Sequence, residues 1–177
     1  GVGAGKTSLC AAILGELTGL QGARVDRKQL RGQPVAYASQ TPWIFNASIR
    51  DNVLFGAEEE PSRLAAVVHA CALTYDTKAL CDGLDTQIGT NGVNLSGGQK
   101  WRVSLARAAY SRAQVVVLDD PLSALDSDVG QHVLTHCIHG LLRDRTVVLV
   151  THHFHALRAA NCVVVLKDGC VVEHGSS

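Results

Sequence analysis

Two short runs of apolar, mostly β-branched residues constrain this chain more than any other feature. They are Val115-Val116-Val117-Leu118 and Val147-Val148-Leu149-Val150. Neither alternates with polar residues, so each reads as a strand covered on both faces, the condition of a parallel sheet with helices packed above and below. Between them, Asp126 to Leu142 places Val129, Val133, Cys137 and Leu141 at helical spacing. That alternation argues for an α/β fold.

The rest of the chain fits the same plan. Gly5 to Leu17 reads as a helix opening on a glycine loop, and Ala36 to Ser39 as a short strand. Thr41 to Gly56 looks like loop, punctuated by Pro42, Asn46, Asn52 and Gly56. Pro61 starts a helix with Leu64, Val67, Val68 and Cys71 on one face, and a glycine-rich stretch from Asp82 to Gly98 leads into a helix over about Gln99 to Arg112. Asp168-Gly169 between Val163–Lys167 and Cys170–Glu173 signals a two-residue hairpin. Residues 46–112 contain no clear strand and are expected to form a helical subdomain inserted into one domain spanning 1–177.

Composition narrows the class. Of 177 residues, 46% are apolar and 18% charged, which suits a folded domain. Sixteen basic residues balance sixteen acidic ones, so no global field favours nucleic acid or an anionic membrane. No apolar run approaches the ~20 residues that span a bilayer, and the chain does not open on a charged-then-apolar leader. Six cysteines stand singly, without a C-x-x-C pair, and are expected to be small buried hydrophobes in a reducing compartment.

Three motifs carry chemistry. Gly1-Val2-Gly3-Ala4-Gly5-Lys6-Thr7-Ser8 is a phosphate-binding P-loop lacking its first glycine, which would fall one residue before Gly1. Its glycines let backbone N–H groups turn toward phosphate oxygens, and the helix that follows adds the positive end of its dipole. Lys6 supplies a charge for the β- and γ-phosphates, and Thr7 a hard oxygen for Mg²⁺. The bland alternative is a glycine-rich helix start with a surface lysine. Second, the run 115–118 delivers Asp119 at its C-terminal end, where doubly wound sheets place ligand chemistry. By itself that is a common exposed carboxylate; beside a P-loop it becomes a magnesium-facing group of an NTPase. Third, Leu95-Ser96-Gly97-Gly98-Gln99 is a further candidate anion site: Ser96 can cap, two glycines bare the backbone, and a helix follows.

The string Leu95 to Gln99 resembles the signature of the ABC ATPase family, and the other landmarks of that family stand in order around it. The resemblance implies a P-loop NTPase core whose N-terminal strands precede this chain. It implies a site binding ATP and Mg²⁺ through Gly3, Ala4, Gly5, Lys6, Thr7, Ser8, Gln40, Asp119 and His152. Thr7, Gln40 and Asp119 would be the metal-facing groups, with Gln40 also reaching the attacking water, and His152 would contact the γ-phosphate. Ser96, Gly97, Gly98 and Gln99 would face the nucleotide of a second such domain paired head-to-tail, with Ser123-Ala124-Leu125-Asp126 crossing the interface.

Pro42-Trp43-Ile44-Phe45-Asn46 to Gly56 resembles the exporter form of the segment that contacts membrane domains, so the region Gln40–Gly56 is expected to meet transmembrane partners at the cytosolic face of a membrane. Asp119-Asp120-Pro121-Leu122-Ser123-Ala124-Leu125-Asp126 resembles the first nucleotide-binding domain of C-subfamily, multidrug-resistance-associated transporters. There Asp120 replaces the usual glutamate base. One methylene less withdraws the carboxylate by roughly an ångström, and general-base catalysis is worth ~10²–10⁴-fold, so binding with slow hydrolysis is expected. A regulatory, non-hydrolysing module and a soluble ABC ATPase are the alternatives. His132, His136 and His139 at helical spacing, and His152, His153 and His155, suggest a solvated face more than a zinc site.

Overall fold

The computed structural model describes residues 3–17, 32–90 and 92–176, the side chains of Phe154 and His155 excepted. Its centre is a parallel sheet in the order β1-β4-β5, made of β1 (Val35–Ala38), β4 (Val115–Asp119) and β5 (Thr146–Val150). Val35 pairs with Val115, and Val115 with Thr146. All five residues of β4 are buried, as an unalternated apolar run requires. Its side chains divide between two cores. Val115 and Val117 join Cys10 and Val150, with Ile13 packed alongside, so α1 (Lys6–Leu14) covers that face. Val116 and Leu118 join Trp101, Leu105, Val133 and Leu142 on the other face. Each fully buried Val or Leu contributes about 1.5–3 kcal/mol over leaving it in water.

The second face is covered by α5 (Gly97–Tyr110) and by a long helix that changes gauge: α6 (Ser127–His132) continues as a π-helix over Val133–Leu141. There the Leu142 N–H donates to Cys137 O at 2.9 Å, five residues back. The widened turn brings Val133, Leu134, Cys137 and Ile138 into the core and leaves Val129 and Leu141 half-buried, a shift from the face read at regular helical spacing.

Residues 41–56, expected to be loop, contain β2 (Ala47–Ser48) and α2 (Ile49–Leu54). A capping box explains the helix: Ser48 Oγ accepts from the Asp51 N–H at 2.9 Å, and Asp51 Oδ2 accepts from the Ser48 N–H at 3.3 Å. β2 pairs antiparallel with β3 (Gln87–Ile88), a two-residue ribbon in a stretch read as strand-free. The remaining helices there are α3 (Pro61–Ala70), which packs on the π-helix, and α4 (Thr74–Ala79). After β5 come α7 (Phe154–Leu157) and the hairpin of β6 (Val163–Lys167) and β7 (Cys170–Gly175). Asp168 and Gly169 both take positive φ, 51° and 78°, as a two-residue hairpin turn requires.

The cysteine expectation holds for half the set. Cys10, Cys71 and Cys137 are buried, whereas Cys81, Cys162 and Cys170 are exposed, because they sit in short loops and at a hairpin edge. No helix among the described residues is long and apolar enough to cross a membrane.

Candidate phosphate-binding and catalytic site

The glycine loop is built for an anion. Gly3 and Gly5 take φ of 78° and 93°, a region a side chain resists. Gly5 caps α1 without a side chain, and the first turn carries no acidic residue. The opening N–H groups of α1 therefore receive no side-chain cap, and the positive end of its dipole meets no carboxylate from its own first turn. Ala4 is buried, Lys6 half-buried, and Thr7 and Ser8 exposed. Gly1 and Val2 lie outside the described residues. The hairpin turn backs the loop from behind: the Gly169 N–H donates to Ala4 O at 3.2 Å, and a Cβ on Gly5 would lie 3.3 Å from Gly169 Cα.

The parallel strands bring the other groups to one edge. β1, β4 and β5 all end there, so Asp119 closes β4 with Asp120 just beyond it, while Gln40 and Thr151-His152 follow the C-terminal ends of β1 and β5. Asp119 is 2% exposed, and its Oδ2 is buried with no hydrogen-bond partner. An orphaned buried acceptor costs about 1–3 kcal/mol, and among the described residues no donor satisfies this oxygen, which suits a cation there. Asp119 also acts on its neighbours: burial first, and then its charge, push the Cys10 thiol up to about 11 and raise Tyr37 above the ordinary phenol value.

Asp120 stands in the left-handed region at φ 50°, tolerable for aspartate, and its N–H donates to Val150 O at 3.0 Å. Its Oδ1 lies 3.2 Å from His152 Nδ1, an ion-pair distance without hydrogen-bond alignment. The carboxylate is mostly covered, at 15% side-chain exposure, whereas His152 is 65% exposed and can swing. Gln40 lies two residues beyond β1 rather than closing it, and is exposed.

The Ser96–Gln99 region is a different construction. Ser96 caps α5, its Oγ accepting from the Gln99 N–H at 3.2 Å while Gln99 Oε1 accepts from the Ser96 N–H at 2.9 Å. Gln99 Nε2 donates to Asp76 Oδ1 at 2.8 Å, and Asp76 forms a mostly buried ion pair with Arg102. Gly98 lies against the Ser123–Asp126 turn, where an added Cβ would meet Ala124 O at 2.8 Å; Gly97 faces open space. Among the described residues, the contacts of Ser96–Gln99 run to Asp76 and Ala124 rather than to the glycine loop.

His132 and His136 do come together, with ring centroids 4.3 Å apart, and His69 of α3 joins them at 5.2 and 5.3 Å. His139 is exposed, and the side chain of His155 lies outside the described residues. Among the described residues no group of three or more His, Cys, Asp or Glu is arranged to hold a metal ion. A cation at Asp119 would therefore draw its remaining ligands from hydroxyl or amide oxygens such as those of Thr7 and Gln40, from a bound molecule and from water, the habit of Mg²⁺ at phosphates.

Sequence reasoning missed Arg107. Its guanidinium carbon lies 4.9–5.7 Å from the ring centroids of Trp43, Phe45 and Phe55. The only local sign was an arginine within the buried run Val103–Tyr110. Asn52, read as loop punctuation, is wholly buried inside α2.

A parallel α/β sheet with a glycine loop opening α1 and carboxylates at the end of its central strand defines a protein of the P-loop nucleotide-binding class. The family profile described as ABC transporter matches residues 1–123, and the chain belongs to that family. It is 47% identical over 175 residues to ATP-binding cassette sub-family C member 4 of Mus musculus, covering 99% of this chain and 13% of that protein. Likewise, it is 44% identical over 175 residues to ABC transporter C family member 9 of Arabidopsis thaliana (98% and 11%). With the Multidrug resistance protein of Leishmania tarentolae it shares 47% over 174 residues (98% and 11%). The chain spans about an eighth of the length of the curated relatives it matches.

Proposed function

We propose that this chain is the nucleotide-binding domain of a C-subfamily ABC exporter, holding ATP and Mg²⁺ at the cytosolic face of a membrane, with residues 46–112 as its helical subdomain. The observation that carries this is the pairing of an α1 start without a side-chain cap with the orphaned, buried Asp119 Oδ2. Backbone N–H groups of Gly3 to Ser8 and the Lys6 ammonium hold the phosphates. Thr7, Gln40 and Asp119 face Mg²⁺, which when bound neutralises phosphate charge during transfer. Asp120 accepts the proton of the attacking water, which Gln40 also reaches, and the exposed His152 contacts the γ-phosphate.

Ser96 to Gln99 face the nucleotide of a second domain arranged head-to-tail. Their cap and their ties to Asp76 and Ala124 hold them rigid while Gly97 stays open, which suits a surface offered to a partner. The region Gln40–Gly56 docks on transmembrane domains, supported by the exposed Trp43 and Phe55. Nucleic acid has no place in this scheme, given zero net charge.

Hydrolysis at this domain's own site is slow. The Asp120 backbone is held at Val150 O, so its short side chain cannot advance to make up the missing methylene. Asp120→Glu in the full-length protein, with the partner site disabled, is expected to increase site-resolved ADP trapping. The gain falls below the ~10²–10⁴ of a good general base, because other steps become limiting. Equal trapping in both proteins would show Asp120 to be a competent base. The same observation favours a second reading, a regulatory site that holds ATP to keep a domain pair closed. In that case Asp120→Glu raises turnover and lowers transport.

A further inference from the structure

Arg107 sits at the meeting point of two parts of the molecule. It belongs to α5, one unbroken 14-residue helix whose first turn carries Gly97 and Gly98. Ten residues separate Gly97 from Arg107, about 15 Å at 1.5 Å per residue. The other part is the segment Trp43–Phe45, which lies outside every helix and strand and so has no ladder to hold it.

What holds that segment is side chains. Arg107 donates from Nη1 to Trp43 O at 3.1 Å, from Nε to Asn52 O at 2.7 Å, and from Nη2 to Asn52 Oδ1 at 2.9 Å. Asn52 in turn accepts from the Phe45 N–H at 3.2 Å and donates to Phe45 O at 3.0 Å. The guanidinium faces the rings of Trp43, Phe45 and Phe55, each within cation–π range. Burial lowers its pKa from the ordinary arginine value, which marks the charge as partly stripped of water. Outward of this hub, Trp43 and Phe55 are 57% and 58% exposed, too much aromatic surface to leave wet without purpose.

We propose that Arg107 is a positioning residue that transmits the state of the Ser96–Gln99 end of α5 to the aromatic docking face formed by Trp43 and Phe55. The inference rests on the reading that this face meets the transmembrane domains. Nucleotide held at the open Gly97 end biases the placement of α5 as a rigid body. One donor to Trp43 O, two to Asn52 and three ring faces carry that displacement toward the docking face, whose Trp43 side lacks a backbone ladder to resist it. Lysine keeps the charge but not the planar fork, so it cannot reproduce the three donors.

The test uses the full-length protein reconstituted in vesicles. Arg107→Lys is expected to leave ATP photo-labelling unchanged and to reduce ATP-driven transport by about tenfold, within the usual span of coupling between sites. Transport at the unaltered level overturns the proposal, and so does a parallel loss of labelling, which a purely structural role would produce. Trp43→Ala separates the two layers. Undisturbed transport in Trp43→Ala sinks the docking reading itself, whereas damage there with a harmless Arg107→Lys sinks the Arg107 role alone. Should Arg107→Lys not fold, the unmodified protein still decides: a non-hydrolysable ATP analogue should slow amide exchange of residues 43–46, and unchanged exchange overturns the inference.

Discussion

The two glycine-bearing helix starts, α1 after Gly5 and α5 after Ser96, look alike in sequence and are built in opposite ways. α1 begins without a side-chain cap and without an acidic residue in its first turn. α5 begins with a full capping box, and Gln99 is tied on to Asp76. The first leaves donors to be satisfied from outside; the second has satisfied the Ser96 and Gln99 N–H groups itself and offers the Gly97 and Gly98 backbone and the remaining Ser96 hydroxyl proton. A helix start can therefore be a ligand's cradle or a rigid tool held against a ligand bound elsewhere. Capping tells which.

Four substitutions break or sharpen that contrast. Lys6→Ala should have the largest effect: loss of a charge-assisted contact of ~1.5–3 kcal/mol weakens ATP binding by about 10–150-fold. Photo-labelling at unchanged intensity would show that α1 is no anion site. Next, Gly98→Ala puts a Cβ 2.8 Å from Ala124 O and should cost about 1–3 kcal/mol, whereas Gly97→Ala meets open space and should be neutral or slightly stabilising. Thermal denaturation of the two variants separates them, and equal melting temperatures would refute the close approach of α5 to the Ser123–Asp126 turn.

Ser96→Ala removes the cap alone. Stability should fall by about 1 kcal/mol while nucleotide binding at the Gly3–Ser8 loop stays unchanged. Weaker binding there would mean that the two helix starts are not independent. The smallest effect concerns Cys10, one turn into α1. With its thiol raised to about 11, it should resist alkylation at pH 8 in the native protein and react once unfolded. The sign follows for stability: the folded chain holds this proton above the ordinary thiol value, so the contribution is lost as pH rises from about 9 to about 11. Rapid native labelling would show α1 to be loosely seated.

Much of this was legible in the chain itself. The run at 115–118 became the doubly covered central strand it promised, whereas the run at 147–150 became a strand that is half-buried except at Val150, because it lies at the end of the order β1-β4-β5 and not between two strands. The Asp168-Gly169 hairpin followed from two residues that accept positive φ. α2 escaped notice because a six-residue helix shows too few turns for a periodic signal, and its capping box lay among turn-forming residues. The gauge change after His132 escaped too, since Val133 and Cys137 satisfy either helix and only the packing of Leu134 and Ile138 distinguishes them.

The sequence alone determined the parallel core, the two glycine motifs and the order of the family landmarks, since each depends on spacing between residues a few positions apart. Tertiary structure decided the rest. It set the hairpin turn behind Ala4, Ala124 against Gly98, His152 beside Asp120, and Arg107 among three aromatic rings. Each of those contacts joins elements brought together by the pairing of β1, β4 and β5 or by the burial of helices against them. Such contacts follow from filling a common core, where shape and unpaired polar atoms choose among arrangements that local spacing leaves equal.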